Sequence, residues 1–482
     1  MRPGAPRWIA PGVGAAMLLA GCAIGPDYKR PPVIEPQVFR GQDAAESTSL
    51  ADLPWWELFK DATLKGLIQE ALANNYDVRI ASARVQEARA RAGVARSQFF
   101  PKFGYGFGVG ESHINPAQLG IQSSQPTTSD LFFGVLSASW EIDIWGRIRR
   151  LNEAAKANLL GTEDARRGVW LTLVSDVAQA YFELLALDVR LQIARDSTQA
   201  FQGTYDLFQD RLKFGVASEL QTSRAQGALG AAEATIPEVQ SEIVAKENQI
   251  SILLGKDPGP IRRGTPMYEQ PIVPTVPLGL PSTLLERRPD IRQAEQEMVR
   301  ANALVGAAKG DFFPKLDLKG LLGTASSDIS GVTSASSLVW QVAAGLAGPI
   351  FEGGRILESY RARIAEWEQT KASYMQTVIS AFKDVSDALT ALSKLADAET
   401  GQVRSVKGLE SAVSHATDRY RYGLASYYEV LEAQQQLFPA QATLAQIRRD
   451  RLLSYVKLYK ALGGGWSLAD AQWEDQAKSG GG

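Results

Sequence analysis

With one cysteine and two histidines in 482 residues, the chain lacks the raw material for several kinds of protein. A single thiol excludes an intramolecular disulfide framework. Two imidazoles beside it are too few for a Cys/His metal cluster. The formal net charge is −2, so there is no basic surplus to draw nucleic acid. Five methionines leave no methionine-rich track for a soft metal ion. No HExxH, P-loop or Ser/His/Asp order is present, so the chain reads as non-enzymatic and free of cofactors. His113 falls in the segment Glu111–Asp130 and His415 in a helix, both expected at the surface. Glycines 104, 106, 108 and 110 make a GxGxGxG run that lacks the GxGxxG spacing of a phosphate loop.

The one cysteine is informative. Arg2 and Arg7 precede an apolar stretch, Trp8 to Leu19, that is too short to span a bilayer as a helix. It ends Leu19-Ala20-Gly21-Cys22, the form of a bacterial lipobox, in which the cysteine is lipidated and begins the mature protein. Residues 1–21 are then a signal peptide. Stable anchoring needs more than one acyl chain, which lipoproteins of this type carry. Ala23 in place of Asp favours the outer membrane, by resemblance to the sorting rules of enteric bacteria.

The chain also repeats itself. Asp77–Lys102 aligns without a gap on Asp290–Lys315, ending in Phe-Phe-Pro-Lys both times. Gly146-Arg147-Ile148 matches Gly354-Arg355-Ile356. Arg211 to Ser218 matches Arg419 to Ser426. Three blocks in one order mean a tandem duplication of about 200 residues. The expected organisation follows. An extended segment covers 22–60, and the first repeat covers 61–255. A connector with seven prolines covers 256–282, the second repeat 283–463, and a glycine-rich tail 464–482.

Each half reads as helix, two strands, long helix, turn, helix. In the first half the long helix is expected at 146–211 and its partner at 217–254. In the second they are expected at 354–421 and 425–462. Leu173, Val177, Ala180, Leu184, Leu187 and Leu191 recur at 4-3-4-3 spacing, the seam of a coiled coil, and Val378, Phe382, Val385, Leu389 and Leu392 repeat it. The short helix before the strands, Leu64–Ser97, is expected to stack end to end on the partner helix. Strands are expected at 103–110, 131–144, 315–325 and 337–350. They alternate apolar with polar or glycine, as lipid-facing barrel strands do. Two covered soluble hairpins would alternate similarly. Four strands cannot close a barrel, and open edges in hydrocarbon are costly, so a membrane reading requires several chains around one axis.

These residues resemble the outer-membrane factor family, the TolC-like channels, and within it the NodT-type efflux lipoproteins. The resemblance rests on Cys22 to Pro31, Trp55 to Asp61, Arg287 to Ile291, Gly353-Gly354-Arg355, and Arg419 to Gln434. It implies a mainly α fold carrying a membrane β-barrel. Long helices form a periplasmic α-barrel, and four strands per chain join a homotrimeric twelve-stranded barrel in the outer-membrane lipid. It implies a periplasmic adaptor and an inner-membrane pump as partners in a tripartite efflux system. A protein-secretion duct is the alternative within this class. A periplasmic coiled-coil adaptor lipoprotein is the alternative outside it.

Two candidate sites lie at the helix turns. Gly215-Val216-Ala217-Ser218 and Gly423-Leu424-Ala425-Ser426 are repeat-related, each with a glycine suited to a left-handed helix end. The resemblance implies that these tips dock the adaptor. Glu429 and Glu432 share a helix face. They match positions where the family carries gate carboxylates, and Tyr420 matches a position that holds the tip closed. Their counterparts in the first half are Gln221 and Arg224. Arg224 or Arg419 is expected to pair with the glutamates. An ordinary solvated helix face fits the same residues.

Overall fold

The computed structural model describes residues 23–33, 36, 38–40, 53–114, 127–271, 282 and 284–464. Cys22, the signal segment, much of the proline-rich connector and the tail beyond 464 lie outside them. The chain divides into two compact units, each built from three stretches of sequence.

The first unit comprises Met1–Pro31, Val85–Thr162 and Ala294–Tyr374, and it holds all the strands found among the described residues. They are β1 (Lys102–Ile114), β2 (Thr127–Ile142), β3 (Lys315–Ser326) and β4 (Leu338–Ala347). They form one antiparallel sheet in the order β1-β2-β3-β4. Expectation erred at the strand ends. β2 stops at Ile142 rather than residue 144, because the Asp143 carboxylate accepts from the Ile148 and Arg149 amides at 3.0 and 2.8 Å and caps the next helix. β4 stops at Ala347 rather than 350, before Gly348 and Pro349, where proline has no N–H for the ladder.

Register puts Tyr105, Leu136, Leu322 and Trp340 side by side across all four strands. Phe103, Ala138, Gly320 and Val342 form the adjacent row. Phe103, Tyr105, Phe107 and Val109 are 71–80% exposed, and Trp340 and Val342 are as open. A covered soluble hairpin would bury this face, whereas a lipid-facing one leaves it bare.

An extended strap from Ala23 to Pro31 crosses the helices of this unit. Ile24 N–H donates to Trp145 O, and Asn302 Nδ2 donates to Pro26 O, both at 2.9 Å. Arg150 reaches Asp27 at 2.7 Å. Tyr28 and Arg30 converge on Glu295 at 3.0 and 2.7 Å. Gly25 sits at φ +114°, where a Cβ would fall 2.5 Å from the Gly306 Cα. Only glycine fits that approach.

The second unit comprises Pro32–Arg84, Glu163–Gln293 and Met375–Gly482. Seven helices matter here, and several begin in the other unit's sequence. They are α1 (Ala62–Asn74), α2 (Tyr76–Ser97), α3 (Arg147–Lys213), α4 (Glu219–Leu253), α5 (Pro289–Gly310), α6 (Arg355–Arg421) and α7 (Tyr427–Ala461). α3 and α6 have 67 residues each, about 100 Å at 1.5 Å per residue. The seam from Leu173 to Leu191, which the sequence continues through Ala194, Phe201, Tyr205 and Phe208, is buried at most positions and gives out at Leu212.

The expected helix from Leu64 to Ser97 is two helices. The Asn75 carboxamide accepts from the Asp77 and Val78 amides at 2.8 and 3.2 Å, ending α1 and restarting as α2. Its Nδ2 donates to Leu253 O at 3.0 Å, which ties the end of α4 to this break. In the second repeat Arg288 donates to Ala461 O at 3.2 Å in the same place.

Asp61 organises the core between these elements. Its carboxylate accepts from the Thr63, Leu64 and Thr265 amides, from Tyr181 Oη and from Gln270 Nε2, at 2.8–3.2 Å. Burial alone would raise its pKa. The hydrogen bonds from Gln270, Tyr181 and the amides outweigh that and hold it below the ordinary value.

Candidate functional site

Both tips are built the same way. At the first, Val216 N–H donates to Arg211 O at 2.8 Å and Gly215 N–H to Leu212 O at 2.9 Å. At the second, Leu424 donates to Arg419 at 2.8 Å and Gly423 to Tyr420 at 3.0 Å. This is the Schellman arrangement, and it needs a left-handed residue. Gly215 and Gly423 supply it, at φ +73° and +72°. Gly215, Val216, Ser218, Gly423, Leu424 and Ser426 are exposed, and Ala217 and Ala425 are half-buried. Repeat-related apolar pairs stand open beside them. These are Phe214 with Tyr422 and Leu220 with Tyr428, all 53–81% exposed. Sequence reasoning passed over both pairs, although the 208-residue offset that matched the glycines also matches them.

The tips differ in how the next helix starts. Ser218 and Gln221 form a reciprocal capping box on α4. Ser426 makes no side-chain cap on α7. Glu429, the counterpart of Gln221, instead meets Arg419, Oε2 to Nε at 3.3 Å. Both side chains are about half exposed, so this pair contributes at most about 1 kcal/mol. The expected role of Arg224 is not seen within the chain. Its guanidinium lies 5.7 Å from the Tyr428 ring centroid, a cation–π contact, rather than on a glutamate. Glu432 is exposed and has no ion pair among the described residues. Val430 and Leu431 are buried, so the two glutamates occupy the solvent face of α7.

Tyr420 belongs to an aromatic cluster. Its ring packs edge-on against Tyr427 at 4.8 Å, and Tyr427 packs edge-on against Phe208 at 5.4 Å. Tyr427 Oη and Thr204 Oγ1 share a hydrogen bond of 2.8 Å. Arg211 lies 5.0 Å from the Tyr420 centroid. Burial raises the Tyr420 pKa, and Arg211 opposes the rise. The Tyr420 hydroxyl is buried with no hydrogen-bond partner among the described residues. A buried hydroxyl without a partner is costly. Phe208 was legible in the sequence only as a seam position and Arg211 only as the start of a repeat block, and Tyr427 was not singled out, because an aromatic at helical spacing reads as ordinary core.

The Outer membrane efflux protein family model matches the chain twice, over residues 67–256 and 280–464. The cation efflux system protein CusC of Escherichia coli O6:H1 is 35% identical over 94% of this chain and 97% of its own. The solvent efflux pump outer membrane protein SrpC of Pseudomonas putida is 33% identical over 94% and 98%. The crystal structure of CusC superposes with a TM-score of 0.82 at 32% identity, over 92% of this chain and all of the other.

Proposed function

The chain belongs to the outer membrane efflux protein family, whose members are homotrimeric outer-membrane channels of tripartite systems, and from that premise we propose how this channel works. It is the exit duct for small toxic compounds, taken from a pump through a periplasmic adaptor that meets the tips at Gly215–Ser218 and Gly423–Ser426. One observation carries the reading of the duct. A sheet with an open apolar face across four strands has unpaired edges at β1 and β4, and only further copies can satisfy both. Lipidation of Cys22 adds a second hold on the membrane. The lipobox and the Gly25-Pro26-Asp27-Tyr28 start favour small-molecule efflux over protein secretion.

The second tip is the resting gate. Around a three-fold axis Glu429 and Glu432 become rings of carboxylate, which select cations. Tyr420 matches the family position whose hydrogen bond holds the tip closed, and its hydroxyl is assigned that role here. In planar bilayers the purified trimer should give a low, cation-selective conductance. Tyr420→Phe/Glu432→Ala should raise it severalfold and sensitise cells to large antibiotics. Absence of wild-type current would refute the duct, and wild-type conductance in the double variant would refute this gate alone.

A further inference from the structure

The inner face of the sheet is not uniform. Residues opposite the lipid-facing rows line the lumen, and register stacks them in layers. Nearest the helices are Glu141 beside Asp317, then Lys102, Ser139 and Lys319, then Ser137 and Gln341 beside Leu321. Beyond these, the next layers hold Gly106, Val135, Gly323 and Val339, then Gly108, Phe133 and Ala325, then Gly110 and Leu131. Among the paired strand residues, three successive layers therefore carry no side chain able to hydrogen-bond. The lumen of a water-filled barrel is ordinarily polar.

The glycines of β1 explain how an aromatic fits there. A Cβ on Gly108 would fall 2.5 Å from the Phe133 ring, so the ring lies over bare backbone. Phe133 and Val135 are half-buried, and Leu131 is 47% exposed. The wall is apolar without being plugged.

We propose that Leu131, Phe133, Val135 and Val339, extended by Leu321 from the adjoining mixed layer, form an apolar sleeve at the outer end of the lumen that weakly retains neutral aromatic molecules as they leave. The inference rests on the duct reading above and names the cargo chemistry it suits. A neutral ring displaces water from these layers and meets the Phe133 ring. An ion meets no polar side chain from the paired strand residues for some 15–20 Å, at about 6.6 Å per layer.

The test is current noise from the purified trimer in planar bilayers with millimolar benzyl alcohol on the outer side. Glycerol and benzyltrimethylammonium serve as polar and charged controls. Benzyl alcohol should produce brief partial blocks that the controls do not. In Phe133→Ser/Leu321→Gln the dwell time should shorten about fivefold with open conductance changed less than about twofold. Val339→Asn, a milder change that guards against misfolding of the double variant, should shorten it about twofold. Equal dwell times in wild type and in whichever variant inserts would overturn the sleeve. A wild-type trimer that passes no current would overturn the duct, and the sleeve with it.

Discussion

Asp61 shows how much one side chain can hold. It closes the N-terminus of α1 and fastens the chain at Thr265 and Gln270 to Tyr181 of α3. Its pKa is depressed in the folded protein, so its contribution is fully present above the unfolded pKa of about 3.9. That contribution is lost as pH falls through the folded value. Asp61→Asn should lower stability by about 1–3 kcal/mol at neutral pH, since an amide cannot replace a carboxylate that accepts five bonds. Heating the trimer before electrophoresis measures this, and the gap from wild type should shrink toward pH 3. Asp61 was visible in the sequence only as the end of Trp55 to Asp61. Its three distant partners lie 120 to 209 residues away, and periodicity carries no signal for a hydrogen bond across that distance.

Helices and strands were far more legible. A 3.5-residue seam and a period-two alternation are properties of neighbouring residues, so the two long helices and four strands could be read directly. The break at Asn75 could not, because an asparagine cap inside an apolar pattern looks like any polar position. At the tips, glycine spacing revealed the turns and the sequence offered Arg224 or Arg419 as a partner for the glutamates, but only the structure chose between them, with Arg419 on Glu429 and Arg224 on the Tyr428 ring. The two turns are otherwise equivalent surfaces. Ala217→Trp and Ala425→Trp should each leave the Schellman turns and the trimer intact, since neither residue carries the positive φ. Both should cut efflux at least about tenfold by keeping a partner's helices from close approach. Drug-susceptibility assays beside trimer gels report the two quantities separately, and wild-type resistance in both variants would remove the tips as the docking surface.

For the whole molecule, two attachments to the membrane are expected, the sheet and the lipid on Cys22. The strap from Ala23 to Pro31 follows that cysteine directly and is fixed to Trp145, Arg150, Glu295 and Asn302. Cys22→Ser behind a cleavable signal should therefore abolish palmitate labelling. Inserted, heat-modifiable trimer should persist at reduced yield, because the sheet still spans the bilayer. Complete loss of trimer would show that the lipid is needed for assembly and not only for anchoring.

The unpaired edges of β1 and β4 also bear on how the protein is made. Each newly exported chain carries an adhesive margin on both sides of its sheet, and neither can be satisfied without siblings. Assembly then depends on local concentration, and the half-built state is the one at risk of wrong pairing. It also makes the gene product vulnerable to its own defective copies. If half the chains in a cell carried a spoiled β4 edge, only roughly one trimer in eight would be free of them. A recessive-looking lesion would behave as a dominant one.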